Sequence, residues 1–169
     1  ESTILNGSIG RNGRFVLTTN EHGYRTAAAV YDTAGKEVFK YRASEYYIVS
    51  AVLSPDCNTL GILAFRQKGV TLESHVLFFD VSSGKQISDT ALTDALGVTL
   101  TYSENNAAIA LCDTGLFLVR DQRGADERYH PWGFYPATKV LTFDEYREAY
   151  NPDSPQGSVI PDILASRGV

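Results

Sequence analysis

Three aspartates recur at matching places in this chain, and they are the first candidates for chemistry. Asp32, Asp80 and Asp121 each follow an apolar run and precede a short segment that contains glycine. Carboxylates that converge can act as general acids and bases or as metal ligands. An Asp before a Gly turn is equally explained by its side chain accepting hydrogen bonds from the turn backbone. Because the three residues fall in separate repeats, we interpret them as turn residues and predict no catalytic residue among them.

The three histidines are the second set of candidates. His22 and His75 lie in or beside the connections that precede the third strands of their blades, and His130 lies at the end of a later predicted strand. None has an acidic or cysteine neighbour at metal-ligand spacing, so no metal site is predicted. The glycines between Gly7 and Gly13 lack the spacing of a dinucleotide fingerprint and lead into a strand rather than a helix. We therefore predict no cofactor.

The aspartates belong to a larger repeat of strands and turns. Upstream of each one, a turn rich in Asn, Asp or Gly precedes another apolar strand, at Arg11-Asn12-Gly13, Ser54-Pro55-Asp56-Cys57-Asn58 and Ser103-Glu104-Asn105-Asn106. These residue types favour tight strand reversals. The spacing of the units is close to the roughly 40 to 45 residues of a four-stranded propeller blade.

Two of these sequence motifs resemble known repeats. Ser54-Pro55-Asp56 before an apolar strand, and Phe79-Asp80 before Ser-Ser-Gly-Lys, are similar to WD40-like and TolB-like β-propeller repeats. Over roughly residues 8–128 the chain resembles the extracytoplasmic propellers of membrane-anchored proteins of unknown function from Gram-positive gut bacteria. The resemblance implies a propeller fold and an extracytoplasmic, membrane-anchored full-length protein. It implies no particular reaction.

The predicted fold is all-β and propeller-like, with three four-stranded antiparallel blades at about 1–44, 45–91 and 92–129, so that residues 1–129 form the blades. The strands are predicted near 3–9, 13–19, 26–32, 36–42, 46–53, 59–66, 74–81, 85–89, 98–103, 107–112, 115–120 and 126–130. Residues 46–53 form an apolar run typical of an innermost strand. The segment 91–96 is predicted to form a single helical turn.

Residues 130–169 form a proline-rich tail, in which proline disfavours a further regular blade. Within the tail, Thr142 and Glu145 form a capping box that predicts a short helix near 143–150. Asp162 to Ala165 predict a last turn. Three blades cannot close a ring, so further blades, a second copy or the tail itself must cover the open blade faces.

Composition excludes some functions. The net charge of −5 provides no broad basic surface, so no nucleic acid partner is expected. No apolar stretch reaches the roughly 20 residues that cross a bilayer. Cys57 and Cys112 lie about six strand residues apart when the repeats are aligned, roughly 20 Å, so both are predicted to be free thiols.

The favoured hypothesis is a non-enzymatic module that binds an unidentified protein or small molecule. One alternative is part of a propeller enzyme whose site is completed by other blades, and another is a structural self-association module. Equivalent propeller loops lie on one rim, where partners usually bind. The candidate binding residues are therefore those of two such loops and of the aromatic segment in the tail: His22, Tyr24, Arg25, Glu73, His75, Trp132 and Tyr135.

Overall fold

The computed structural model describes residues 2–23, 25–104, 107–121, 137–149, 160–167 and 169, and these residues form three four-stranded antiparallel sheets. Sheet 1 contains β1 (Ser2–Ile9), β2 (Phe15–Glu21), β3 (Arg25–Tyr31) and β4 (Glu37–Arg42). Sheet 2 contains β5 (Tyr47–Leu53), β6 (Thr59–Lys68), β7 (Thr71–Asp80) and β8 (Gln86–Leu92). Sheet 3 contains β9 (Gly97–Tyr102), β10 (Ala108–Cys112), β11 (Gly115–Val119) and β12 (Thr138–Thr142). The helices are α1 (Phe143–Ala149) and α2 (Ile160–Ser166).

Each sheet pairs its strands in chain order, and neighbouring sheets pack face to face. The first strand of sheet 2, β5, contacts the first strands of both other sheets, β1 and β9, as an innermost blade strand does. Its residues are buried or half-buried on both faces, which agrees with the apolar run predicted at 46–53. The predicted all-β, propeller-like fold of three four-stranded blades is therefore confirmed.

Two apolar cores join the three sheets. The first lies between sheets 1 and 2 and contains Val30, Ile62 and Phe79 among its buried residues. The second lies between sheets 2 and 3, where Phe78 and Phe117 are members. Successive residues of a strand point to opposite faces, so the neighbours Phe78 and Phe79 contribute to different cores.

The repeated aspartates form the turn contacts expected of them. Asp32 Oδ1 accepts hydrogen bonds from the backbone N–H of Ala34 (2.9 Å) and Lys36 (2.8 Å). Asp80 Oδ1 likewise accepts from the backbone N–H of Ser83 at 2.8 Å. The turn that follows Asp121 lies outside the described residues. Cys57 and Cys112 are both free and buried, as predicted.

The structure corrects two local predictions in sheet 2. The strands β6 and β7 extend to Lys68 and from Thr71, where a loop was expected, because Gly69 has φ +64° and allows a two-residue turn. The helical turn predicted at 91–96 is wrong, since β8 continues to Leu92. The Leu92 side chain is buried in the core between sheets 2 and 3, which favours the extended conformation.

The fourth strand of sheet 3 comes from the proline-rich tail. β12, at Thr138–Thr142, pairs with β11, whereas the strand was expected near 126–130, which lies outside the described residues. The segment from Thr138 to Thr142 contains no proline and carries β-branched residues, so it can join a sheet. The predicted boundary between the blades (residues 1–129) and the tail (residues 130–169) remains a prediction. β12, which lies within the predicted tail, belongs to sheet 3.

The tail helices follow β12 and reach back to sheet 3. The predicted capping box starts α1: Thr142 N–H donates to Glu145 Oε2 (2.9 Å) and Glu145 N–H donates to Thr142 Oγ1 (3.1 Å). Leu164 of α2 and Val169, which follows the helix, then pack against the outer face of sheet 3, beside Ile109, Leu118 and Val140. Part of this outer face is therefore covered by the chain itself. No helix among the described residues is long and apolar enough to span a bilayer.

Arg167, which directly follows α2, holds it to α1 through an ion pair and to β12 through a hydrogen bond, and the ion pair makes this docking sensitive to acid. Arg167 donates to Glu145 Oε1 (2.9 Å) and to the carbonyl oxygen of Val140 (2.6 Å). The hydrogen bond from Arg167, followed by the one from the Thr142 backbone, lowers the pKa of Glu145 from 4.5 to about 2. A carboxyl whose pKa falls on folding stabilises the folded form above its ordinary pKa and loses that contribution as the pH falls toward the folded value.

We expect the docking of α2 to weaken as the pH falls from about 4.5 toward about 2. Arg167→Ala should weaken it at neutral pH, seen as severalfold faster hydrogen exchange at the α2 amides. The matched control is Arg147→Ala, which removes an exposed pair with Asp144 on α1. Unchanged exchange in Arg167→Ala would show that apolar contacts alone hold α2.

Candidate functional site

The β6–β7 hairpin ends in a two-residue turn between Lys68 and Thr71, which are cross-strand partners. Val70 at its tip is fully exposed, and Leu72 is half-exposed. Two ion pairs cross the hairpin near this end, from Arg66 to Glu73 (3.5 Å) and from Lys68 to Glu73 (3.3 Å). The end of the hairpin therefore exposes apolar side chains next to charged ones.

A buried histidine lies beneath these ion pairs. His75 in β7 is only 5% exposed, and its Nδ1 lies 2.6 Å from Asp89 Oδ1. Asp89 also accepts a hydrogen bond from the Tyr46 hydroxyl at 2.7 Å. The Tyr46 ring meets the His75 ring edge-on at 5.2 Å and lies beneath the guanidinium of Arg66. The hairpin base is thus tied to β8 and to the connection that precedes β5.

The electrostatics of this cluster follow from its geometry. Burial, followed by the hydrogen bond to Asp89, raises the pKa of the Tyr46 hydroxyl well above its usual value. Interaction with His75, and then with Lys68, lowers the pKa of Glu73. His75 Nε2 is buried without a hydrogen-bond partner and lies 3.3 Å from Glu73 Oε2. Tyr46 thus stays protonated as a donor, and Glu73 stays charged.

The cluster places an imidazole between two carboxylates, a pattern that also serves in acid–base catalysis. Burial closes the imidazole to a substrate, however. The nearest serine along β7, Ser74, points to the opposite face, where its Oγ accepts a hydrogen bond from Gly97 N–H at 2.9 Å. The geometry therefore supports a positioning role, in which the cluster fixes the base of the hairpin.

A groove of about 720 Å³ lies beside the hairpin, between it and the β8–β9 connection. The residues that line it come from the hairpin, the connection and the β10–β11 turn: Lys68, Thr71, Leu72, Glu73, Leu92, Thr93, Asp94, Ala95, Leu96 and Asp113. Leu72 and Leu96 offer half-exposed apolar surface. The carboxylates of Glu73, Asp94 and Asp113 outnumber the ammonium of Lys68, so the groove is apolar and anionic.

The floor of the groove is held by reciprocal hydrogen bonds. Leu96 N–H donates to Asp113 Oδ1 (2.8 Å), and Asp113 N–H donates to the Leu96 carbonyl (2.9 Å). Asp94 has φ +53°, so the connection turns sharply at a left-handed residue. These contacts fix the connection against the β10–β11 turn and keep the groove open.

The structure brings together few of the predicted binding residues. Glu73 lines the groove and His75 lies behind it, in a strand and buried, whereas both were expected in an exposed loop. His22 lies in the β2–β3 turn of another sheet, with φ +44°. Arg25 begins β3. Tyr24, Trp132 and Tyr135 lie outside the described residues, so their proposed roles remain predictions. Among the described residues, no three His, Cys, Asp or Glu side chains are grouped to hold a metal ion.

Several residues of the site were missed by the sequence interpretation. Tyr46 and Asp89 lie 29 and 14 positions from His75 in the chain, and no local pattern joins them to it. Arg66 lies across the β6–β7 hairpin, where the strand register places it opposite Glu73. Leu72 and Leu96 are single apolar residues beside polar ones, which is common on any surface. A usable signal existed only at Gly69-Val70, because a two-residue Gly turn between alternating strands predicts a tight hairpin.

Comparison with known proteins supports assignment to a family whose function is unknown. A sequence model described as a family of unknown function (DUF5711) matches residues 1–128. No curated protein matches the chain. The solved structures that match include the C-terminal WD40 domain of Sif2, at 16% identity and a TM-score of 0.49, over 70% of this chain and 31% of that chain.

Two bacterial structures also match. A gluconolactonase from Xanthomonas campestris matches at 13% identity and a TM-score of 0.46, over 66% of this chain and 42% of that one. The extracellular domain of a protein assigned as a one-component system from B. thetaiotaomicron matches at 13% identity and a TM-score of 0.47, over 82% of this chain and 16% of that one. The chain spans less than half the length of each of these structures.

Proposed function

We propose that this chain, which belongs to the DUF5711 family of unknown function, is a non-enzymatic interaction module that binds a protein segment in the groove beside the β6–β7 hairpin. The observation that carries the proposal is the pairing of apolar and acidic surface in one concave site of about 720 Å³. Sites that combine apolar lining with a few positioned polar groups are typical of binding. We further propose that binding occurs outside the cytoplasm, as the resemblance to extracytoplasmic propellers implies.

The groove chemistry favours one class of partner. Leu72 and Leu96 provide contact for an aliphatic side chain, and the carboxylates of Asp94 and Asp113 provide contact for a cation. An extended peptide that places a lysine or arginine next to a leucine, isoleucine or valine satisfies both requirements. The contacts of His75 with Asp89 and Glu73 support the proposal because they hold the β6–β7 hairpin, one side of the groove, in place before binding. A preformed site lowers the entropic cost of association.

Selection from a random peptide library tests the proposal. Heptapeptides displayed on phage are selected against the immobilised chain, and we expect a consensus that joins a basic residue to an aliphatic one. The enriched peptide should bind Leu72→Ser and Asp94→Lys at least about tenfold more weakly, a change that corresponds to about 1.4 kcal/mol.

Val38→Ser is the matched control, because Val38 is a similarly exposed aliphatic residue on sheet 1, away from the groove. Its affinity for the selected peptide should equal that of the unaltered chain. A library that yields no consensus, or a consensus peptide that binds Leu72→Ser normally, would contradict the proposal.

A further inference from the structure

Only one of the two faces of sheet 1 packs against another sheet in the described part of the chain. One face, with Val16 and Val30, packs against sheet 2. The opposite face, which we call the open face, has no sheet packed against it in the part of the chain that the structure describes. Its exposed or half-exposed residues alternate along the four strands: Ile4, Gly7, Ile9, Phe15, Leu17, Tyr31, Glu37, Lys40 and Arg42. Ala27 and Ala29 of β3 lie on the same face and are buried, at 1% and 3% exposure.

Strand register shows that the open face corresponds to a covered face elsewhere in the chain. Tyr31 and Phe79 each precede a repeated aspartate, and pairing outward from them matches Ile4 to Ile48 and Ile9 to Leu53. Even the bulges coincide, between Ile4 and Asn6 in sheet 1 and between Ile48 and Ser50 in sheet 2. The open face is therefore the equivalent of the sheet 2 face that sheet 1 covers.

The equivalent residues differ sharply in exposure. Ile48 and Leu53 are 1% and 8% exposed, whereas Ile4 and Ile9 are 63% and 83% exposed. Phe15 and Tyr31 stack on each other at 5.1 Å between ring centroids, which prepares a flat aromatic surface on the same face. Exposed apolar side chains at positions that are covered in the equivalent sheet indicate an interaction surface.

Charge on the open face is polarised along the strands. Lys40 and Arg42 share the carboxylate of Glu21 at one end, which leaves that group with one net positive charge. Glu37 lies at the other end of β4, opposite Tyr31, and is exposed. A two-fold axis perpendicular to the strands would bring the anionic end of one face against the cationic end of an identical face.

We propose that the open face of sheet 1 is a self-association surface, on which a second copy of this chain packs its own open face. Head-to-tail packing onto the outer face of sheet 3 is disfavoured because Leu164 of α2 and the following Val169 already cover part of that face. An isologous contact leaves α2 in place and pairs the charges. The surface is separate from the groove, so this inference does not depend on the proposed function.

Sedimentation equilibrium of the full chain tests the inference. At micromolar concentration we expect a mass of twice 18.5 kDa. Ile9→Asp should give the mass of a single chain, because it places a carboxylate among the apolar side chains of the contact, beside Phe15. Val70→Asp is the matched control: Val70 is fully exposed at the hairpin tip, and its variant should keep the mass of two chains.

Charge exchange gives a second test that does not alter the apolar surface. Glu37→Lys should raise the dissociation constant roughly tenfold by opposing like charges, and adding Arg42→Glu should restore association. If the unaltered protein has the mass of a single chain at micromolar concentration, the proposal is overturned. An Ile9→Asp variant that keeps the mass of two chains would also overturn it, since the contact would then use another surface such as the tail.

Discussion

Phe78→Ala is expected to lower the free energy of unfolding by about 3 to 5 kcal/mol. Phe78 has no exposed surface and packs in the core between sheets 2 and 3. Removal of its ring takes away apolar burial and leaves a cavity between two sheets whose strands cannot easily move together. Because a domain of this size is stabilised by only about 5 to 15 kcal/mol in total, this single change removes a large share.

Urea denaturation followed by circular dichroism measures the effect. Phe143→Ala is the matched control, since Phe143 is also a phenylalanine but is 42% exposed on α1; its variant should change the free energy of unfolding by less than about 1 kcal/mol. A loss below about 1.5 kcal/mol in Phe78→Ala would mean that the two sheets collapse around the smaller side chain and that their interface is plastic.

Gly115→Ala is the second large effect, with an expected loss of about 2 to 6 kcal/mol. Gly115 opens β11 with φ +145°, a conformation that side chains rarely adopt. A Cβ there would lie 2.2 Å from the backbone oxygen of Leu141, inside the neighbouring strand β12. Backbone cannot move aside as a flexible side chain can, so we expect β12 and the attached α1 to separate from sheet 3.

Hydrogen exchange at the amides of Val140 and Leu141 should report this separation directly. Gly69→Ala is the control: Gly69 also has positive φ (+64°), but a Cβ there would meet nothing within 4 Å. Its variant should lose only the roughly 1 to 2 kcal/mol of a strained left-handed residue. If both variants lost the same amount, backbone strain alone, and not contact with β12, would explain the effect of Gly115→Ala.

Much of the fold could be predicted because its signals are local. The aspartates at 32 and 80 and their glycines form the expected turns, since an Asx side chain reaches backbone only a few residues away. The capping box at Thr142 and Glu145 formed for the same reason. The prediction failed for the fourth strand of sheet 3, because β12 pairs with β11 across a long connection that no short pattern marks.

The candidate site was far less predictable. Glu73 and His75 were chosen as residues of an exposed rim loop, yet His75 is buried because its ring lies beside Tyr46 and Asp89. Asp89 and Tyr46, which hold His75, lie 14 and 29 positions away from it in the chain. Contacts over such separations depend on which strands pair and which faces meet.

The sequence by itself determined the repeat, the turn chemistry, the strand alternation and the free state of both cysteines, because each depends on residues close in the chain or on their spacing within a repeat. The tertiary structure alone decided which blade faces are covered. Sheet 2 covers one face of sheet 1, and α2 covers part of sheet 3, while Ile4 and Ile9 on the open face stay exposed. The physical reason is that an apolar strand face carries the same alternating pattern whether or not another sheet lies against it.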